Sequence, residues 1–291
     1  MLKIDEPLEL SAPLAWQLAP RLCHKDAETG QSCAWNHRLW QCLRVMGLGG
    51  SPEINAEFYQ HAFTAVKGAA GPPRILISGA ADYSMLAHAL AAFKERDIEP
   101  DVTVVDICET PLALNRWYAE RISCRIATHC CDIAEFRAAD GFDAICTHSF
   151  FGQIPAGRRP QLLTAWCRLL RPGGLAISVD RVRAVCSGAP IGFSPSQAQL
   201  FCSTVRGQAQ NIAAALAIEP RELVQAAEIY AATQALHPVR SHEEMRNLFE
   251  YAGFGIEQLI GGPNEAGTVQ EDSGPAIPAK ADYVRIIANR K

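Results

Sequence analysis

The run Ile75-Leu76-Ile77-Ser78-Gly79-Ala80-Ala81-Asp82-Tyr83-Ser84 passes from strand-forming residues into a helix through mostly small ones. Small residues at such a turn let a ligand approach the backbone and the N–H groups that open the helix. A G-x-G-x-x-G fingerprint is absent, and one glycine with a few small residues stands in its place. This weakens a dinucleotide reading, because a pyrophosphate needs the bare backbone. Taken alone, the loop is also an ordinary strand-to-helix turn. Asp106 ends the next strand-like run, 27 positions after Gly79. A carboxylate there can accept both hydroxyl hydrogens of a ribose, or it can simply cap the following helix. Asp132 lies in Cys130-Cys131-Asp132-Ile133. It can accept from an adenine amino group while Ile133 packs on the ring.

Thr147-His148-Ser149-Phe150-Phe151 follows a fourth strand-like run. His148 is the candidate base or substrate-orienting donor there, or a histidine that caps a backbone group near the strand end. Tyr83 offers an aromatic face of the kind that stabilises a cation, although a bare tyrosine also packs. Asp180 and Arg181 follow the fifth strand and form either part of the same edge or a local surface ion pair. Trp16, Trp35, His37, Trp40, Phe58 and Tyr59 precede the first strand. They form either an aromatic cap that excludes water or the stripe of an ordinary core.

The elements that must position these residues are legible from periodicity and breakers. The first seventy residues read as helices, with Gly47 placed to end one and Ser51-Pro52 to begin another. Strands are expected at residues 74–78, 102–105, 124–128, 143–147 and 175–179, alternating with helices at 84–96, after Thr110-Pro111, and at 158–170. This alternation predicts an α/β fold with a doubly wound parallel sheet. Residues 192–236 read as a helical lid, Ser241 and Glu244 as a capping box, and 254–260 and 282–288 as two late strands. The Gly/Pro-rich stretch 261–280 between them reads as an exposed, mobile loop. The expected organisation is an N-terminal helical cap, 1–70, and a Rossmann-like domain, 71–291.

Taken together, these positions resemble the class I S-adenosylmethionine-dependent methyltransferase superfamily over about residues 70–291. The resemblance rests on the strand and small-residue loop at 76–83, Asp106, the Asp132-Ile133 pair and the strand around Ile145. It rests also on Leu169-Leu170-Arg171-Pro172-Gly173-Gly174-Leu175 and the Ala252-Gly253-Phe254 turn. It implies a seven-stranded sheet with an antiparallel hairpin insertion, and S-adenosylmethionine as cosubstrate or substrate. Gly79, Ala80, Ala81, Asp82, Asp106, Asp132 and Ile133 would bind it, with His148 and Tyr83 at the reacting end. The superfamily usually has an acid where Ile77 stands and glycines where Ala81 and Tyr83 stand, so the methionine end must be held differently. No Asp/Asn-Pro-Pro-Tyr segment follows the fourth strand, which argues against the branch that methylates planar amide or nucleobase amines. The resemblance implies a small-molecule methyltransferase of specialised metabolism. A second outcome is a branch that cyclises or cleaves the cosubstrate and releases 5'-methylthioadenosine, as azetidine-2-carboxylate synthase does. A noncatalytic partner of the same fold is a third.

Composition narrows the partners. The 291 residues are 48% hydrophobic, and 27 Lys and Arg against 31 Asp and Glu leave a net charge of −4. That excludes a disordered tail and argues against a nucleic-acid binder, which normally carries a basic face. No apolar run is long enough for a membrane span, and Met1 to Glu6 lacks the layout of a signal peptide, so a cytoplasmic protein is expected. The eleven cysteines are odd in number, scattered, and without C-x-x-C spacing. They are expected to be small buried hydrophobes, with no metal site.

Overall fold

The computed structural model describes residues 4–23, 25, 30–69, 71–183, 189–263 and 282–291. Three helices come first: α1 (Leu8–Leu22), α2 (Ala34–Val45) and α3 (Ala56–Ala65). Then follow β1 (Arg74–Ser78), α4 (Ser84–Lys94), β2 (Asp101–Asp106), α5 (Glu109–Arg121), β3 (Ile126–Cys130), β4 (Phe142–His148), α6 (Arg159–Leu169) and β5 (Leu170–Val182). A two-residue strand, β6 (Ile191–Gly192), precedes α7 (Pro195–Leu216), α8 (Pro220–Thr233) and its partner β7 (Ala235–Leu236). The described chain closes with α9 (His242–Tyr251), β8 (Phe254–Pro263) and β9 (Asp282–Arg290).

Seven strands form one sheet in the order β3-β2-β1-β4-β5-β9-β8. The first five are parallel, and β9 runs antiparallel between β5 and β8. This is the expected hairpin insertion. The chain moves outward from β1 to β3 and then returns to β4, so a crevice opens beyond the C-terminal ends of β1 and β4.

Side-chain alternation divides the core. Ile75 and Ile77 face a layer built from α3, α4 and α5, including Phe58, Phe63, Leu86, Phe93 and Leu112. Leu76 faces the other layer, with Leu163, Trp166, Met245 and Phe249 from α6 and α9. A third cluster lies away from the sheet. Trp16, Leu39, Leu43, Phe201, Val205, Leu223 and Tyr230 join α1 and α2 to α7 and α8.

Boundaries shift where pairing extends a strand. β3 starts two residues later than expected and pairs with β2 through Asp106↔Cys130. β5 begins at Leu170, which pairs with Phe142 before a register shift, and it continues to Val182 because β9 pairs along its whole far end. Ser194 forms a full capping box with Gln197. Ser241 makes only half of one: its hydroxyl accepts from the Glu244 N–H at 3.0 Å, while the Glu244 carboxylate accepts instead from the Arg240 backbone and from Arg159. The expected mobile loop lies outside the described residues, apart from Gly261 to Pro263 at the end of β8. Cys186 lies outside them too.

Candidate functional site

A cavity of about 410 Å³ occupies the crevice at the strand ends. Gly79 turns the chain out of β1 at φ +73°, a conformation that favours glycine. A Cβ at this position would lie 2.4 Å from the Phe150 ring, so the loop packs too closely for any side chain. Ala80 and Ala81 follow and line the cavity. Asp106 closes the loop from β2. Its Oδ2 accepts from the Ala80 N–H at 2.8 Å and its Oδ1 from the Cys108 N–H at 2.7 Å. A carboxylate offers about four acceptor positions, so each oxygen keeps one for a diol. Burial pushes the Asp106 carboxyl up to about 6, against the two N–H groups that hold it down.

Asp132 and Ile133 line the same cavity. Asp132 accepts from the Ala134 N–H at 2.9 Å and from the Arg158 guanidinium at 2.9 Å. The structure therefore brings together Gly79, Ala80, Ala81, Asp106, Asp132 and Ile133.

Two expected contributors carry structural roles. Tyr83 is fully buried, stacks on Tyr118 with ring centroids 4.6 Å apart, and bonds through its hydroxyl to Ser11 at 3.1 Å. It packs cap against sheet and does not line the cavity, so it cannot face a sulfonium there. The smallness of the loop explains this, because the helix begins at once and turns Tyr83 inward. Asp82 lines the cavity too, with Oδ2 fully engaged and one acceptor position left on Oδ1. Oδ1 accepts from the Ser84 N–H at 2.7 Å, and Oδ2 accepts from Trp40, Gln41 and Arg44 at 3.2, 2.6 and 2.9 Å. Arg44 also pairs with Glu6. Asp82 thus ties α2 to the loop after β1.

At the other end of the cavity stands His148. Tyr59 donates its hydroxyl hydrogen to the Thr147 carbonyl at 2.9 Å and meets His148 Nδ1 at 2.9 Å. With that hydrogen committed, Nδ1–H donates to the phenol oxygen and Nε2 keeps its lone pair. Burial, with His88 and Arg44 adding to it, lowers His148 to about 3, so the imidazole is neutral near pH 7. A neutral ring with so low a pKa is a better orienting acceptor than proton carrier. Ser149 follows in a left-handed conformation, φ +52°.

Asp180 takes the first of its two readings, at the edge of the cavity, and not that of a surface pair with Arg181. It is 1% exposed, lines the cavity, and accepts from the Phe151 N–H at 2.8 Å and the Ser178 hydroxyl at 2.6 Å. Burial pushes it up to about 7, against those two donors and Arg159. Arg181, Arg183 and Tyr283 line the same end. Burial, reinforced by Arg181, lowers Arg183 to about 9. The sequence pointed to Asp180 and Arg181 here but not to Arg183 or Tyr283.

Of the six cap residues, only His37 and Trp40 line the cavity, joined by Tyr230 and Gln234 from the lid. Trp16 and Trp35 lie in the helical cluster, and Phe58 and Tyr59 in the sheet core. The cysteine expectation also needs correction. Of ten described cysteines only Cys42, Cys108 and Cys146 are buried, and Cys130 is exposed. Cys23, Cys33, His37 and Cys108 converge, with their Sγ and imidazole nitrogen atoms all within 4.8 Å of one another. The one-turn spacing Cys33-x-x-x-His37 was the available signal. The third and fourth members come from outside α2.

Comparison with known proteins agrees with this geometry. Residues 84–174 match the protein family described as a methyltransferase domain. No curated protein matches the chain. The 1,6-didemethyltoxoflavin-N1-methyltransferase of Burkholderia thailandensis, solved with 1,6-didemethyltoxoflavin and S-adenosylhomocysteine, is 15% identical with a TM-score of 0.52. The alignment covers 99% of this chain and 92% of that one. The [4+2]-cyclase SpnF is 14% identical with a TM-score of 0.52, over 97% of this chain and 93% of that one. TehB from Haemophilus influenzae is 14% identical with a TM-score of 0.46. There 79% of this chain aligns and spans 62% of TehB. The matched segment is a methyltransferase domain, and the sheet order is that of the class I S-adenosylmethionine-dependent methyltransferase fold. S-adenosylmethionine is the cosubstrate of that class.

Proposed function

We propose that the protein is a small-molecule methyltransferase of specialised metabolism. The observation that carries this is Asp106, poised opposite the Gly79-Ala80 turn with one acceptor position left on each oxygen. When bound, S-adenosylmethionine supplies an electrophilic methyl carbon. The chain's own residues do the rest. Asp106 receives the ribose diol, while Ile133 covers the adenine and Asp132 accepts from its amino group. Asp82 holds the N-terminal cap over the turn through Arg44. His148 presents a neutral acceptor that orients the nucleophile. Asp180 titrates near neutral pH at the acceptor end and can take the proton that a hydroxyl or ammonium acceptor must lose. Arg181 and Arg183 favour an acceptor that carries an anionic group. Positioning and a dry site supply much of the rate in such a displacement.

A second reading keeps the cosubstrate and changes the reaction to cyclisation or cleavage of S-adenosylmethionine itself. It is favoured by the turn after β1, where Ala81 and Tyr83 stand in place of the superfamily's usual glycines. One incubation separates the two. The protein is mixed with S-adenosylmethionine alone, and the products are resolved by mass. An intact, tightly bound cosubstrate supports methyl transfer. Methylthioadenosine formed without an acceptor supports cyclisation or cleavage. Failure to bind S-adenosylhomocysteine at all sinks both readings.

A further inference from the structure

We propose that Cys23, Cys33, His37 and Cys108 form a structural zinc site that clasps the N-terminal helices to the cofactor loop. The Cys23 Sγ lies 3.3 Å from His37 Nδ1, the Cys108 Sγ 3.5 Å from the same nitrogen, and the Cys33 Sγ 3.5 Å from the Cys108 Sγ. A tetrahedral zinc with bonds of about 2.0–2.3 Å has ligand-to-ligand edges of about 3.3–3.8 Å. The three measured edges match that spacing, and all four donor atoms fall within 4.8 Å. Three thiolates and one imidazole are a soft donor set that selects zinc over magnesium or calcium. Four protein ligands leave no open position, as in structural sites rather than catalytic ones.

The surroundings fit a bound cation. Cys108 and His37 are buried, and Cys23 and Cys33 half-buried. The Thr110 hydroxyl lies 3.2 Å from the Cys23 Sγ, where it can donate to a coordinated thiolate and fix its direction. On zinc binding the three thiols lose their protons to solvent, and the site carries a net charge of −1. No other grouping of this kind occurs among the described residues.

The four ligands come from three places in the chain. Cys23 follows α1, Cys33 and His37 open α2, and Cys108 lies in the β2–α5 turn. Cys108 also donates its backbone N–H to Asp106. Zinc at this position would hold the ribose-binding carboxylate in place and lock the cap over the cavity. That coupling rests on the S-adenosylmethionine reading; the metal site itself does not.

The test starts with the full chain purified under reducing conditions without chelators. Elemental analysis is expected to find about one zinc per chain, released when a mercurial blocks the thiols. Cys33→Ser and Cys108→Ser are expected to lose the metal, while Cys167→Ser keeps it. Should either variant fail to fold, cobalt exchanged into the wild-type protein gives the same answer, through intense tetrahedral ligand-field bands and thiolate charge transfer. Folded, reduced wild-type protein that neither retains zinc nor takes up one equivalent of zinc or cobalt overturns the proposal. A Cys33–Cys108 disulfide in metal-free, freshly isolated protein overturns it as well. Removal of zinc is expected to weaken S-adenosylhomocysteine binding at least tenfold. If zinc is present at one equivalent but neither form binds S-adenosylhomocysteine, the metal site stands and the methyltransferase reading falls.

Discussion

The two ends of the cavity are built in different ways. At the nucleoside end, each contributing residue follows directly from a parallel strand: Gly79 after β1, Asp106 at the end of β2, Asp132 and Ile133 after β3. Their positions follow from strand register, and one glycine and two backbone N–H groups fix the geometry. The acceptor end and its cover are assembled from elements distant in sequence. α1, α2, α7 and α8 share one hydrophobic cluster, and Glu6, Arg44 and Asp82 bind that layer to the sheet through buried charge. A local turn needs few partners, so it tolerates change around it. A clasp of buried charges fails when one member is removed.

Four substitutions test that contrast. Arg44→Met is expected to have the largest effect. It leaves the buried carboxylates of Glu6 and Asp82 without their cation, which costs about 3–5 kcal/mol of stability in urea denaturation. A loss under 1 kcal/mol would show that the cap is not held by this clasp. Next comes Asp106→Ala, which removes a carboxylate from the nucleoside end while leaving the cap intact. S-adenosylhomocysteine affinity measured calorimetrically should fall by about 1.5–3 kcal/mol. An unchanged affinity would refute the ribose assignment.

Asp180→Asn probes the acceptor end through pH. The folded carboxyl titrates near 7 and the unfolded one near 3.8, so between these values the folded state holds a proton that the unfolded state has lost. Ionising the buried group therefore costs stability as pH rises through that window. The asparagine variant should gain relative to wild type by on the order of 1 kcal/mol per pH unit from 4 to 7. A stability difference independent of pH would remove Asp180 from the titrating groups. Tyr83→Phe should do least. It deletes the bond to Ser11, costs about 1 kcal/mol of stability, and leaves S-adenosylhomocysteine affinity unchanged. A tenfold loss of affinity would show that the Tyr83 hydroxyl acts on the ligand site after all.

The sheet was legible in the sequence because its strands are short apolar runs bounded by glycine, proline and acids. Ile75 to Ser78 and Asp143 to Thr147 show this well, being buried along nearly their whole length. The same logic located Gly79, Asp106 and Asp132, since residues at strand ends face the crevice whatever the rest of the chain does. It failed at Tyr83, the residue just before α4, where the side-chain direction depends on what packs above. For Asp180 it left two readings open, the cavity edge and a surface ion pair, and the β9 strand and the Phe151 N–H decide for the buried edge.

By itself, then, the sequence determined the alternation of strands and helices, the parallel sheet and the strand-end residues that line the cavity. All of these rest on local periodicity and on residues adjacent in the chain. Only the tertiary structure decided which cap residues line the cavity, which carboxyl burial pushes toward neutrality, and which cysteines come together. Those outcomes depend on burial and on contacts between segments as distant as Cys23 and Cys108. Scattered cysteines read as packing residues because proximity across α1, α2 and the β2–α5 turn exists only after the sheet and the helical layer have met.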